Sequence, residues 1–155
     1  WEHAQRAIVV GDRAHIERDR LRILDYFLVF PEELVAIRFP QALSKWRSRF
    51  QNLENEYWLT GDRLLVFARM RPIQDAALAL LAARNVIAPD ALRRNRITLR
   101  RESLPNALIV AAQRSNEHAD FVLDFLVKGL GPLPLLGPDG LKARSHLIDY
   151  RYDSV

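Results

Sequence analysis

The sequence predicts a mainly α fold with a small β-hairpin, arranged as a winged-helix-like helical domain. Apolar residues recur at spacings of three and four through most of the chain. Asp, Asn and Pro fall where such stretches begin or end, as capping and breaking residues do. Short β-prone pieces after the middle of the chain cluster at Val86-Ile87 and Arg96–Leu99. At 155 residues the chain has the size of one domain, and 49% hydrophobic with 27% charged residues excludes a disordered tail.

The first ten residues leave two readings open, a short strand at Ala7–Val10 or the end of a frayed helix. Gly11-Asp12 gives a turn. From Arg13, Ile16, Leu21, Leu24, Phe27 and Leu28 follow a helical period as far as the Phe30-Pro31 break. Pro31 suits a first helical position, with Glu32 and Glu33 at the positive end of the dipole, so a short helix is expected over Pro31–Ile37. Pro40 opens the next helix, whose apolar stripe is Leu43, Trp46, Phe50 and Leu53. Asn55–Gly61 is expected to be a loop. Asp62 then caps a helix through Leu64–Met70, and Pro72 is expected to open another. Asn85 stands where a C-terminal glycine would end it.

Val86-Ile87 and Arg96–Leu99 flank Pro89–Asn95 as the arms of a hairpin. Pro105 opens a long helical stretch to Lys128, with a break expected near Ser115-Asn116. Gly129–Gly140 holds four Gly and three Pro, hence a loop or linker, and a short helix follows over Leu141–Asp149. The expected organisation is a winged-helix-like domain over residues 1–128, its wing at about 86–101. A Gly/Pro-rich linker and C-terminal docking helix occupy 129–155.

Composition removes several chemistries. Cysteine is absent, which excludes disulfides, thiolate metal sites and cysteine nucleophiles. No serine occupies a nucleophile elbow, and no glycine-rich loop follows a strand or carries the Walker lysine. His3, His15, His118 and His146 are scattered, and no two share a metal-ligand spacing. Glu117, His118 and Asp120 are neighbours in sequence but point in different directions on a helix. An enzyme is therefore not expected, nor a cofactor or metal. No apolar run approaches the roughly 20 residues of a membrane helix, nothing resembles a signal peptide, and a cytoplasmic location is the default expectation.

Net charge is +4, and all but three of the 23 basic residues are arginine. Arg93, Arg94, Arg96, Arg100 and Arg101 crowd the expected wing and form a candidate nucleic-acid contact through phosphates. The alternatives are a solvated hairpin or pairing with an acidic partner protein. The segment Pro72–Arg84 argues against base reading, because Ala and Leu dominate it and only Gln74, Asp75 and Arg84 are polar. Such a helix belongs under cover, either in this domain or against another subunit. Leu130, Leu133, Leu135 and Leu136 in the linker, with Tyr150, Arg151 and Tyr152 beyond, form a candidate partner interface, docking onto the parent core being the other reading.

Several segments, taken in order, resemble one family. Arg22–Pro31 (RILDYFLVFP), Ile37–Pro40 (IRFP), Met70–Ala77 (MRPIQDAA) and the close from Gly140 through Leu147–Asp153 are similar to middle components of ABC-three-component systems, most nearly the fifth type. The resemblance covers most of the chain from about Arg18. It implies a small non-catalytic subunit that docks on an SMC- or RecN-like ATPase and couples it to an effector subunit, in bacterial anti-phage systems of the Lamassu kind. It also leaves room for DNA contact through the whole complex. The family brings no catalytic motif to transfer onto these residues.

Overall fold

A computed structural model describes residues 15–51, 53, 62–100, 104–117 and 120–149. Strand β1 (Ile16–Glu17) leads directly into helix α1 (Arg18–Val29), which buries Ile23, Leu24, Tyr26 and Phe27 on one face. The helical period from Ile16 onward is thus real only from Arg18. Ile16 itself is extended and pairs with Ile97. The 3₁₀ turn Pro31–Ala36 begins at the proline that marked it, and the Pro40 segment is a 3₁₀ turn, Gln41–Trp46, running into helix α2 (Arg47–Gln51). The stripe on that segment holds: Phe50 is buried, and Leu43, Trp46 and Leu53 pack against the core. Phe39, Trp46, Phe50, Phe121 and Phe125 interlock there at ring-centroid separations of 4.8–6.4 Å.

Helix α3 (Arg63–Ala83) starts where the Asp62 carboxylate accepts a hydrogen bond from the Leu64 N–H at 2.8 Å. It runs straight through Pro72, which corrects the expectation of two helices meeting there. A proline inside a helix removes one N–H and crowds the carbonyl four residues back, here that of Ala68. Ala68 and Pro72 both lie on the exposed side, where solvent can serve the freed carbonyl. The helix ends at Asn85, whose φ of 59° supplies the left-handed residue that a glycine usually provides.

The β region also departs from expectation. Ile87 and Leu99 form an antiparallel bridge, with Ala88 N–H donating to Thr98 O and Arg100 N–H to Val86 O. Between these arms, however, lies helix α4 (Pro89–Arg93) rather than the tip of a wing. Strand β2 (Arg96–Ile97) pairs with β1 in the register Ile16↔Ile97 and Glu17↔Arg96. The region is a helix-tipped clasp tied to the start of α1. The mainly helical class and the small antiparallel pairing hold; with α3 unbroken and a short helix between the arms, the described residues do not confirm the winged-helix detail.

Helices α5 (Asn106–Glu117) and α6 (Asp120–Phe125) follow, and a π turn over Leu126–Leu130 closes α6. The Gly/Pro-rich stretch then returns along the core to helix α7 (Leu141–Ser145). Leu130, Leu141 and Leu147 join the same buried cluster as Tyr26, Phe27 and Phe125.

Candidate interaction surface

Two faces of α3 have opposite fates. Phe67 and Leu78 are buried, with Val66, Met70 and Leu81 packed against the core beside them. Polar side chains fasten this face to α1. Gln74 donates to Asp25 Oδ2 at 2.8 Å and accepts from Arg22 Nε at 3.1 Å, while Asp75 pairs with Arg18 at 2.5 Å and with Arg71 at 3.6 Å. The Arg22 guanidinium also lies 4.7 Å from the Phe67 ring centroid, and burial lowers its pKa. Two of the polar residues singled out on Pro72–Arg84, Gln74 and Asp75, therefore hold the helix in place.

The opposite face is apolar and uncovered. Leu64 and Leu65 are each 48% exposed, Leu80 58% and Ile73 73%. Ala68, Pro72, Ala76, Ala77, Ala79 and Ala83 lie among them, also exposed. A helix apolar all round is normally buried all round. Of the two kinds of cover expected for this helix, the described residues provide only one side.

Arginines frame the far end of α3. Arg84, Arg94 and Arg96 are exposed and, like Arg69 midway along the helix, form no ion pair among the described residues. Arg93 is exposed but pairs with Asp90 one turn earlier, and Arg100 donates to the Asn85 side-chain oxygen. Arg101 lies outside the described residues. Four of the five wing arginines are thus placed together beside the end of α3, on a clasp and not on a projecting hairpin.

The candidate partner leucines separate. Leu130 is fully buried in the chain's own core, and Leu133 and Leu135 pack against it. Only Leu136, 40% exposed, keeps a free side chain. For the first three, docking onto the parent core is what occurs. Tyr150, Arg151 and Tyr152 lie outside the described residues, as does His118.

What the sequence reading missed is how the arginines hold that loop. Arg20, almost fully buried, donates to Gly131 O and Leu133 O, both at 2.6 Å, and to Glu17 Oε2 at 2.8 Å. Arg144 donates to Asp139 O at 2.6 Å and to Arg38 O at 2.8 Å, and Arg63 to Ser145 O at 3.1 Å. A loop without regular structure leaves carbonyls unpaired, and the five-donor guanidinium satisfies several at once. No spacing in the sequence could announce the pairs of Arg20, Arg63 and Arg144 that lie 82 to 113 residues apart.

A half-open cleft of about 160 Å³ lies between α1, the end of α3, β2 and the π turn. Leu24, Leu28, Leu78, Leu81, Ile97 and Leu126 are among its walls, and Asp25, already bonded to Gln74, is the one charged residue there. Among the described residues, no three His, Asp or Glu side chains gather to hold a metal ion. No helix there is long and apolar enough to cross a membrane.

Fold and surface together define a small helical protein, held by one aromatic and aliphatic core, with one apolar helix face left open beside a cluster of arginines. The model of the ABC-three component system middle component 5 family matches residues 6–153, and the chain belongs to that family. No curated protein and no solved structure matches it. As a middle component of a multi-subunit system, it has an accessory role among partner proteins.

Proposed function

We propose that this chain is a non-catalytic binding subunit that docks on an SMC- or RecN-like ATPase and couples it to an effector, in a Lamassu-type anti-phage defence complex. The observation that carries the reading is the uncovered apolar face of α3, from Leu64 to Ala83, in a chain whose family works within multi-subunit systems. An isolated domain has no reason to leave the apolar side of its longest described helix open to water. The cytoplasm is the compartment that suits such a complex. No reacting group is assigned to the chain, and its work is to hold neighbours together.

Co-expression with the ATPase and effector subunits of the same system tests the reading. A stable ternary complex, isolated through a tag on this chain and lost when the chain is omitted, is the expected result. Recovery of a monodisperse monomer with neither subunit attached would overturn it.

A second reading is favoured by Arg84, Arg94 and Arg96, exposed and without an ion pair among the described residues: contact with DNA phosphates by the arginine cluster within the complex. It predicts that changing Arg94, Arg96 and Arg100 together to Glu weakens DNA binding by the complex and flattens its salt dependence. Unchanged affinity would remove the cluster from nucleic-acid contact.

A further inference from the structure

We infer that the outer face of α3 receives an amphipathic helix of a partner protein, one that brings an apolar ridge flanked by carboxylates. This rests on the binding role proposed above and adds the surface and the chemistry of its occupant.

The geometry points to a helix. Leu65, Pro72, Ile73, Ala76, Leu80 and Ala83 lie on the exposed side over five turns, roughly 27 Å of axis. Large and small apolar residues alternate along that line, with exposed Arg69 standing among them between Leu65 and Pro72. Leu65, Ile73 and Leu80 form ridges, and Ala76 and Ala83 leave the hollows that a facing helix fills. An apolar helix laid in such a surface is recognised by anchors one turn apart.

Charge selects the occupant. Between Asp62 and Arg100 the sequence holds eight arginines against three aspartates, an excess larger than the net charge of +4 of the whole chain. Those aspartates are engaged within the fold: Asp62 caps α3, Asp75 pairs with Arg18 and Arg71, and Asp90 pairs with Arg93. Arg69, Arg84, Arg94 and Arg96 are left exposed without an ion pair among the described residues. A second copy of this chain would bring the same arginines to the contact and no free carboxylate from this segment. Nucleic acid would satisfy the arginines but strand Leu65, Ile73 and Leu80 against phosphates. A helix with acidic flanks satisfies both halves of the surface, and its charges also speed the encounter.

The test uses the full chain co-expressed with the ATPase and effector subunits of its own system. Affinity for whichever subunit it captures is measured by titration. The double change Ile73→Glu and Leu80→Glu is expected to weaken binding on the order of a hundredfold, as loss of central anchors does. Arg69→Glu with Arg84→Glu should weaken it about tenfold at low salt and much less at high salt. Leu136→Glu, on the C-terminal loop, should leave it unchanged. Capture that is indifferent to both α3 pairs overturns this inference and leaves the binding role standing; capture of neither subunit overturns both.

Three further outcomes overturn the inference alone. The first is a wild-type dimer that Ile73→Glu dissociates, which would make the occupant a second copy. The second is loss of duplex DNA binding with protein binding intact. The third is a fall of more than about 5 °C in melting temperature for the milder Ile73→Ser, which would mean the chain covers this face itself.

Discussion

The outer face of α3 and the largely irregular stretch from Gly129 to Asp149 draw on the same materials, leucines and arginines, and put them to opposite use. In that C-terminal stretch, which includes the end of the π turn and α7, Leu130 is fully buried, Leu133 and Leu135 pack against the core, and Arg20, Arg63 and Arg144 donate to its carbonyls. On α3, Leu65, Ile73 and Leu80 face outward, and Arg69 and the capping Arg84 form no ion pair among the described residues. The difference lies in the backbone. A helix satisfies its own peptide groups and can stand with one side bare, whereas an irregular segment needs partners for its peptide groups wherever it leaves water. Arginines recruited by loop carbonyls are therefore structural, whereas Arg69 and Arg84, on and just after a self-sufficient helix, form no ion pair among the described residues.

The sharpest way to break the comparison is to treat both regions alike. Leu130→Ala should cost about 3 kcal/mol of stability, read from urea unfolding, because a fully buried leucine leaves a cavity. Arg20→Ala should cost a comparable amount, about 3 kcal/mol, by orphaning the carbonyls of Gly131 and Leu133 and the carboxylate of Glu17. If either change is silent, the loop is not held as described. On α3, Pro72→Ala should act in the other direction. It restores an N–H to the helix interior on an exposed face, and a gain of about 1–2 kcal/mol is expected in the same assay.

Pro72 also marks where sequence reasoning reached its limit. Proline stops most helices, so the rule split α3 in two, and the winged-helix layout followed from the split. What the rule could not weigh was that Ala68 and Pro72 would face water while Gln74 and Asp75 locked the next turn to α1. Local signals did well: Asp62 as cap, Asn85 as left-handed terminator and Pro31 as the start of a turn are all decided by groups a few residues apart. Tertiary pairings were illegible. Ile16 meets Ile97, and Arg20 meets Gly131 and Leu133, at separations that leave no periodic trace. The surface was half legible. An Ala/Leu helix was expected under cover, yet the loop leucines and not α3 drew the partner assignment, because composition does not say which apolar segment reaches the core first.

A smaller effect separates the anchored side of α3 from its bare side through pH. Tyr26 is buried where α1 meets α3, ring to ring with Phe67 at 5.8 Å, and among the described residues its hydroxyl has Arg63 beside it but no well-formed hydrogen bond. Burial, reinforced by Glu33 and offset in part by Arg63, pushes its pKa up to about 12 from the ordinary value of 10.0. The folded protein then keeps a proton that the unfolded chain has already lost, so stability falls as pH rises through about 10 to 12. Tyr26→Phe should flatten that part of the stability profile. Near pH 7 it should be close to neutral, within about 1 kcal/mol, since a poorly satisfied buried hydroxyl is removed. An unchanged slope between pH 10 and 12 would mean that the hydroxyl is not sealed in this contact.

The smallest effects carry the comparison to its finest point. Leu80→Gln on α3 and Leu136→Gln on the loop replace side chains that are 58% and 40% exposed. Each should change stability by no more than about 0.5 kcal/mol, because little apolar surface returns to water. Thermal melts should therefore fail to tell them apart, although Leu130→Ala, six residues before Leu136, is expected to be among the most damaging changes in the chain. What distinguishes the two glutamine variants is the assembled system. Leu80 belongs to a continuous bare face with Leu65 and Ile73, while Leu136 stands alone beyond leucines already packed inward. Binding of the partner subunits should weaken for Leu80→Gln and hold for Leu136→Gln. Equal loss in both would move the interface across the loop, and a large drop in stability for Leu80→Gln would mean that α3 is not bare.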